Sequence, residues 1–135
     1  MIYIDTNIFV YAIQKHLEYG KACSKILDDI NNEKLEATSS VLVLSEFISV
    51  LVRLRKIDQG ISIKESLEAV LSLPITWFDM DIFTLEKAST YNFNISGMDY
   101  IHLATMEINS IVKIISADAD FDKVEIVKRI DPLKY

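Results

Sequence analysis

Four of the chain's 20 acidic residues stand where ordinary surface charge would not put them. Asp5 closes Met1-Ile2-Tyr3-Ile4, an apolar, β-branched and aromatic run without helical spacing that reads as a buried strand. Asp118 follows Val112-Lys113-Ile114-Ile115-Ser116 in the same way. Glu46 lies in Val43-Leu44-Ser45-Glu46-Phe47-Ile48, a helical stretch apolar almost all round, where a lone carboxylate is costly unless paired or bound to a metal. Asp99 comes just after Gly97, at the start of another helix. Singly, each has a plain explanation. Asp5, Thr6 or Asn7 can cap a helix, Asp99 can be an N-cap or first-turn charge, and Asp118 can sit in a turn. Glu46 can pair with Arg53, Arg55 or a lysine. Taken together, two close strands, one opens a helix, and one comes early in a helix that follows a strand. In a parallel sheet those positions share the edge where ligands bind. Four carboxylates meeting there repel one another unless cations neutralise them, and an oxygen-only site suits Mg²⁺ or Mn²⁺. The chemistry of such a site is phosphoryl transfer, with water activated and the attacking and leaving oxygens clamped.

The elements that must carry these residues follow from local pattern. Ile8 to Gln14 reads as a first helix and Tyr19 to Asn31 as a second, with Ala22, Ile26, Leu27 and Ile30 forming an apolar stripe. Leu35 to Thr38 is a weak second strand. Ser39 or Ser40 then stands in N-cap position for a long helix from Val41 to Arg55. Ser62 opens another helix, with Glu65 placed to complete a capping box, and Pro74 follows its end. Ile75 to Phe78 reads as the third strand, Asp79 or Asp81 as the cap of a helix through Tyr91, and Met98-Asp99 as the start of a helix to about Asn109. Ile111 to Ile115 is the fourth strand, Asp120-Phe121-Asp122 a short turn, and Glu125 to Lys128 a fifth strand at an edge. Strands alternating with helices predict a mostly parallel sheet of four to five strands, covered on both faces and joined by right-handed crossovers.

Bulk properties narrow the function classes. At 135 residues the chain is expected to form a single domain over residues 1–135. Half the residues are hydrophobic and only 3 are Gly and 2 Pro, which argues against disorder and long linkers. The single cysteine, Cys23, excludes an internal disulfide and a cysteine zinc cluster, fits a cytoplasmic chain, and reads as a small core residue. The opening strand lacks the basic-then-apolar pattern of a signal peptide. The longest apolar stretch, Val41 to Leu54, is interrupted by Ser45, Glu46, Ser49 and Arg53 and is too short to span a membrane. A net charge of −6 argues against nucleic-acid binding by bulk basicity, but not against a nuclease that works through divalent cations. Gly20, Gly60 and Gly97 are too far apart for a phosphate loop, and with His16 and His102 the only histidines no nucleophile elbow is recognisable.

The sequence resembles the PIN-domain family, above all its small VapC-type toxin ribonucleases. The segments that carry the likeness are Ile4-Asp5-Thr6-Asn7, Ser45-Glu46-Phe47, Met98-Asp99-Tyr100-Ile101-His102-Leu103-Ala104-Thr105 and Ser116-Ala117-Asp118-Ala119-Asp120-Phe121-Asp122, in that order across nearly the whole chain. The resemblance implies a three-layer α/β/α fold and a metal-dependent endoribonuclease leaving 5′-phosphate and 3′-hydroxyl ends. It makes Asp5, Glu46, Asp99 and Asp118 the acidic quartet that holds Mg²⁺ or Mn²⁺, with Asp5 and Asp99 the firmest ligands. Thr6 and Ser116 match hydroxyl positions that hydrogen-bond carboxylates or water, Asn7 is the third residue of the opening motif, and Asp120 competes with Asp118. It also implies an RNA substrate, a homodimer, and an antitoxin partner whose disordered tail offers the cleft an arginine. An RNA-processing PIN nuclease outside a toxin system and a catalytically silent PIN-like binding module are the alternatives. A phosphatase with Asp5 as nucleophile is disfavoured because Asn7 stands where such enzymes carry a second acid. Lys15, Arg53, Arg55 and Lys56 are the candidates for a basic rim. His102 shares a helix face with Asp99 but is expected to pack or hydrogen-bond rather than ligate. Tyr3, Phe9, Tyr11, Phe47 and Trp77 are expected in the core or an interface.

Overall fold

A computed structural model describes all 135 residues. Five strands, β1 (Ile2–Ile4), β2 (Ala37–Ser40), β3 (Ile75–Phe78), β4 (Lys113–Ile115) and β5 (Lys128–Ile130), form one sheet in the order β3-β2-β1-β4-β5, every pair parallel. Six helices connect them: α1 (Thr6–Gln14), α2 (Gly20–Asn31), α3 (Val41–Arg55), α4 (Ile63–Leu71), α5 (Ile82–Ala88) and α6 (Gly97–Ile108). The chain steps outward from β1 to β2 to β3, then returns past β1 to lay down β4 and β5. The strand order therefore reverses at β1, and the crevice at the carboxyl ends of β1 and β4 is the switch point where α/β folds bind ligands. Helices α1 to α4 contact one another, while α5 packs on α6. Right-handed crossovers taken in opposite directions set the two groups on opposite faces.

The core runs along both faces of β1. Tyr3, Ile4, Ile114 and Ile115 are wholly buried with Phe9, Phe47, Leu51, Ile26, Ile30, Leu103 and Met106. Cys23 is buried among them, as the sequence suggested. The Phe9 ring meets Phe47 edge-on at 6.2 Å, joining α1 to α3.

Several boundaries differ from the sequence reading. The second strand is Ala37–Ser40 rather than Leu35 to Thr38, because its hydroxyls find partners inside the sheet: Thr38 Oγ1 donates to the Thr76 carbonyl and Ser39 Oγ to the Ile4 carbonyl. Ser40 is the N-cap of α3 by position only. Its hydroxyl bonds Tyr3 at 2.6 Å instead of the helix backbone. Ser62 accepts the Glu65 amide as a cap, and Asp81 rather than Asp79 caps α5 in a reciprocal box with Thr84. That helix ends at Ala88, short of Tyr91, which leaves the helix to pack edge-on against Tyr100. The fifth strand is Lys128–Ile130, not Glu125 to Lys128; its polar centre, Arg129, makes a two-pronged contact with Asp122 that no alternation pattern reveals. Asp120-Phe121-Asp122 falls in a short 3₁₀ helix, Ala119–Lys123. No helix is long and apolar enough to cross a membrane.

Phe47 is fully buried where α3 meets α1. Replacing it with Ala should lower unfolding stability by about 3–5 kcal/mol, the range for a large aromatic removed from a packed core, read from urea denaturation.

Candidate active site

Asp5 sits on the seam between β1 and β4. Its amide donates to the Ile115 carbonyl at 3.1 Å, continuing the strand pairing past the last paired residues. Its side chain caps α1, accepting the Thr6 amide at Oδ1 (2.7 Å). Oδ2 accepts the Ser116 hydroxyl at 2.6 Å and the Asn7 amide group at 3.0 Å. Asn7 also donates to Ser116 Oγ and accepts the Ala117 amide, both at 3.2 Å, so the first turn of α1 is strapped to the chain leaving β4. The capping role and the place at the sheet edge, alternatives in the sequence, are both held by one carboxylate. Burial above all pushes the Asp5 carboxyl above its ordinary range. His102, the Ser116 hydroxyl and the Thr6 amide pull it back in part, and Glu46 adds to the rise.

Glu46 reaches the same place from the second turn of α3. The side chain is about a third exposed, 30%, so it is not the deeply buried carboxylate that its apolar neighbours suggested. Its partner is not Arg53, Arg55 or a lysine either. Oε1 lies 2.5 Å from His102 Nε2 and 3.2 Å from Thr6 Oγ1. Apolar neighbours in sequence misled because α3 has a solvent side: Ser45, Ser49 and Arg53 are exposed along it.

Asp99 is the third residue of α6, behind the cap Ser96, whose hydroxyl accepts the Asp99 amide at 3.2 Å. Its carboxyl is raised by desolvation first, then by the charges of Asp118 and Asp5, with Ser96 and His102 opposing. Asp118 caps the 3₁₀ helix and accepts the Asp120 amide at 2.9 Å, while its own amide donates to Ser116 Oγ. Asp99, Asp118 and Asp120 each bring a carboxylate oxygen within 4.8 Å of the other two. Asp120 is tied by Lys123 at 2.7 Å. Asp5, Glu46, Asp99 and Asp118 all line one cleft of about 600 Å³, which Asp120 does not. Thr6, Asn7 and Arg53 line it too. Four carboxylates thus face one guanidinium. Of the other basic-rim candidates, Lys15 lines a separate groove with His16 and Leu17.

Two features escaped the sequence. His102, 1% exposed, bonds Glu46 through Nε2 and the Tyr3 hydroxyl through Nδ1 (2.8 Å), linking α6, α3 and β1. Burial favours its neutral ring, but the bond to Glu46 and the charges of Asp5, Glu46 and Asp99 outweigh burial and raise its pKa. A tyrosine in a strand and a histidine 99 residues later carry no signal of this contact. Arg129 donates to the Ser116 carbonyl at 2.9 Å and so braces the turn that holds Asp118.

The family model described as PIN domain matches residues 2–127. This chain belongs to the PIN-domain family. No curated protein sequence matches it. Solved structures do. A VapBC2 complex from Rickettsia felis bound to a promoter DNA fragment is 19% identical over 96% of this chain and 98% of that one, with a TM-score of 0.72. A toxin–antitoxin complex from Klebsiella pneumoniae is 17% identical over 98% of both chains, TM-score 0.69. The toxin VapC20 of Mycobacterium tuberculosis, described as cleaving the sarcin–ricin loop, is 15% identical over 90% and 93%, TM-score 0.68. At such identities the likeness is one of fold. It matches the expected PIN-like α/β/α architecture. The donor set of this PIN-domain cleft fits a divalent cation: the acidic groups offer only carboxylate oxygens, and burial and mutual repulsion raise the Asp5 and Asp99 pKa values.

Raised carboxyl pKa values bind the folded state's protons more tightly than the unfolded chain's. Their stabilising contribution is present below the unfolded value of about 4 and is lost as pH rises through the folded values. With EDTA present, Asp99→Asn should therefore match the wild type near pH 4 and gain a stability advantage as pH rises towards 7, checked by urea denaturation at each pH.

Proposed function

We propose that this PIN-domain protein is a Mg²⁺- or Mn²⁺-dependent endoribonuclease and the toxin of a VapBC-like pair. The observation that carries the reading is the meeting of Asp5, Glu46, Asp99 and Asp118, from four separate elements, in one cleft at the switch point of the sheet. A bound divalent cation supplies activation of water and neutralisation of charge on the scissile phosphate. Asp5 and Asp99 are its firmest holders, and Glu46 and Asp118 complete the set. Three donors already fix the Asp5 carboxylate, so its orientation costs no rearrangement when substrate arrives. Thr6 and Asn7 keep that carboxylate in register with Ser116, and Asp120, held by Lys123, borders the site. Arg53 lies two helical turns beyond Glu46 on the same side of α3 and meets a neighbouring RNA phosphate. Water adds to phosphorus in line, the bond to O3′ breaks, and O3′ takes up the proton, leaving 5′-phosphate and 3′-hydroxyl ends. Single-stranded or looped RNA suits an open cleft better than a duplex.

The toxin branch is favoured by the toxin–antitoxin complexes among the similar folds. A cleft with four carboxylates accepts an arginine from an antitoxin tail in place of the cation. Exposed Ile82 and Phe83, neighbours on α5, give a homodimer apolar surface to cover. Wild-type protein should sediment as a dimer and Phe83→Asp as a monomer.

The decisive assay is cleavage of an end-labelled looped RNA. Activity should vanish with EDTA and return with MnCl₂. Asp5→Asn and Asp99→Asn should lose at least about 100-fold in kcat with unchanged circular dichroism. Arg53→Ala should raise KM and lower the salt dependence of binding by about one phosphate contact. Full activity in either Asn variant would overturn the assignment.

A further inference from the structure

Resting on the reading of the cleft as a cation site, we infer that His102 is a positioning residue that turns the Glu46 carboxylate, holding one oxygen and presenting the other to the cation. Both protein donors to this carboxylate, His102 Nε2 and Thr6 Oγ1, converge on Oε1; Oε2 receives no hydrogen bond from the protein. A carboxylate only accepts, so Nε2 carries a hydrogen whether or not the ring is charged. The other nitrogen meets the Tyr3 hydroxyl, which donates or accepts as required and is itself bonded to Ser40 at 2.6 Å. Residues in two central strands therefore fix the ring at one end, and the ring fixes Glu46 at the other.

His102 does not act as a ligand itself. Both nitrogens are engaged within the protein, and the ring is buried behind the cleft rather than lining it. Glu46 needs a holder because it is a flexible side chain, partly exposed, facing three other carboxylates. Repulsion alone would swing it towards solvent, and the loss of conformational freedom on binding would weaken the cation's hold. Hydrogen-bonded supports of this kind typically control metal affinity by about 10–100-fold.

The test is calorimetric titration of MnCl₂ into wild type, His102→Met and His102→Gln. Met keeps the buried volume without the donor, whereas Gln keeps an amide N–H where Nε2 stood. Binding should weaken by about 10–100-fold in His102→Met and recover in His102→Gln. In a Glu46→Ala background, His102→Met should weaken binding no further, which a general structural defect would not reproduce. Equal Mn²⁺ affinity in folded His102→Met and wild type would overturn the positioning role, as would an equal loss in the Glu46→Ala background. Wild-type protein that takes up no Mn²⁺ would instead overturn the cation-site reading on which the inference rests. The unmodified protein offers a check free of variants. Its His102 resonances should show a hydrogen-bonded Nε2–H that shifts on saturation with Mg²⁺; a ring without hydrogen on Nε2 would overturn the proposal.

Discussion

A carboxylate buried on the seam between β1 and β4 sets the terms for the rest of this structure. Asp5 is 7% exposed, and at that burial an ionised group must be surrounded by donors or forced to keep its proton. Its neighbours supply those donors from both ends of the chain: the Thr6 amide and Asn7 from the start, Ser116 from near the end. Those same groups join the entry of α1 to the exit of β4. The interaction that tames the charge is therefore also the one that closes the sheet edge.

Around that seam the interior changes character. Elsewhere the buried residues are mostly hydrocarbon, with Thr84 and Thr105 as exceptions, but near the carboxyl ends of the strands they include Thr38, Ser39, Ser40, His102 and Ser116. Each of these has a hydrogen-bond partner, so this polar patch is satisfied even though it is dense; Trp77 Nε1 on β3 is the buried polar atom left without one. The unresolved tension is electrostatic rather than one of missing partners. Beyond the cost of burial, the charges of Asp118 and Asp5 push the Asp99 carboxyl up, and His102 opposes them only in part. A fold selected for stability alone would replace one of them. Their joint presence is the physical argument for an activity.

How far the chain could be read from its residues depended on where each signal lay. The helix Val41–Arg55 and the strand Ile75–Phe78 match their sequence bounds, because sharp changes in hydrophobic pattern mark their ends. The strand Ala37–Ser40 was displaced, since Ser39 and Ser40 resemble caps until their cross-strand partners are known. The meeting of four carboxylates could be anticipated from strand ends and helix starts, which the parallel topology gathers at one edge. What holds Glu46 could not. Its nearest bases in sequence were the natural suspects, yet the partner comes from 56 residues away, and no local rule relates the two. Asp118 and Asp120 were inseparable in sequence because both lie on the same short turn; in the structure they differ in that Asp118 lines the cleft whereas Asp120 does not and is engaged by Lys123.

The strand order has a consequence in time. Because β1 is central, the first strand made waits between neighbours that are made much later: β2 follows within about forty residues, but β4 begins at Lys113. Of the bonds that orient Asp5, the one from Ser116 spans 111 residues of chain, and Asn7, which also holds Asp5, is tied to Ser116 across 109. Contacts so distant along the chain form slowly and late. A growing or truncated polypeptide that ends before Ser116 has the motif at its start but neither the hydroxyl that orders it nor the aspartate that faces it. Whatever the cleft does, it cannot begin until the chain has been made past Asp118.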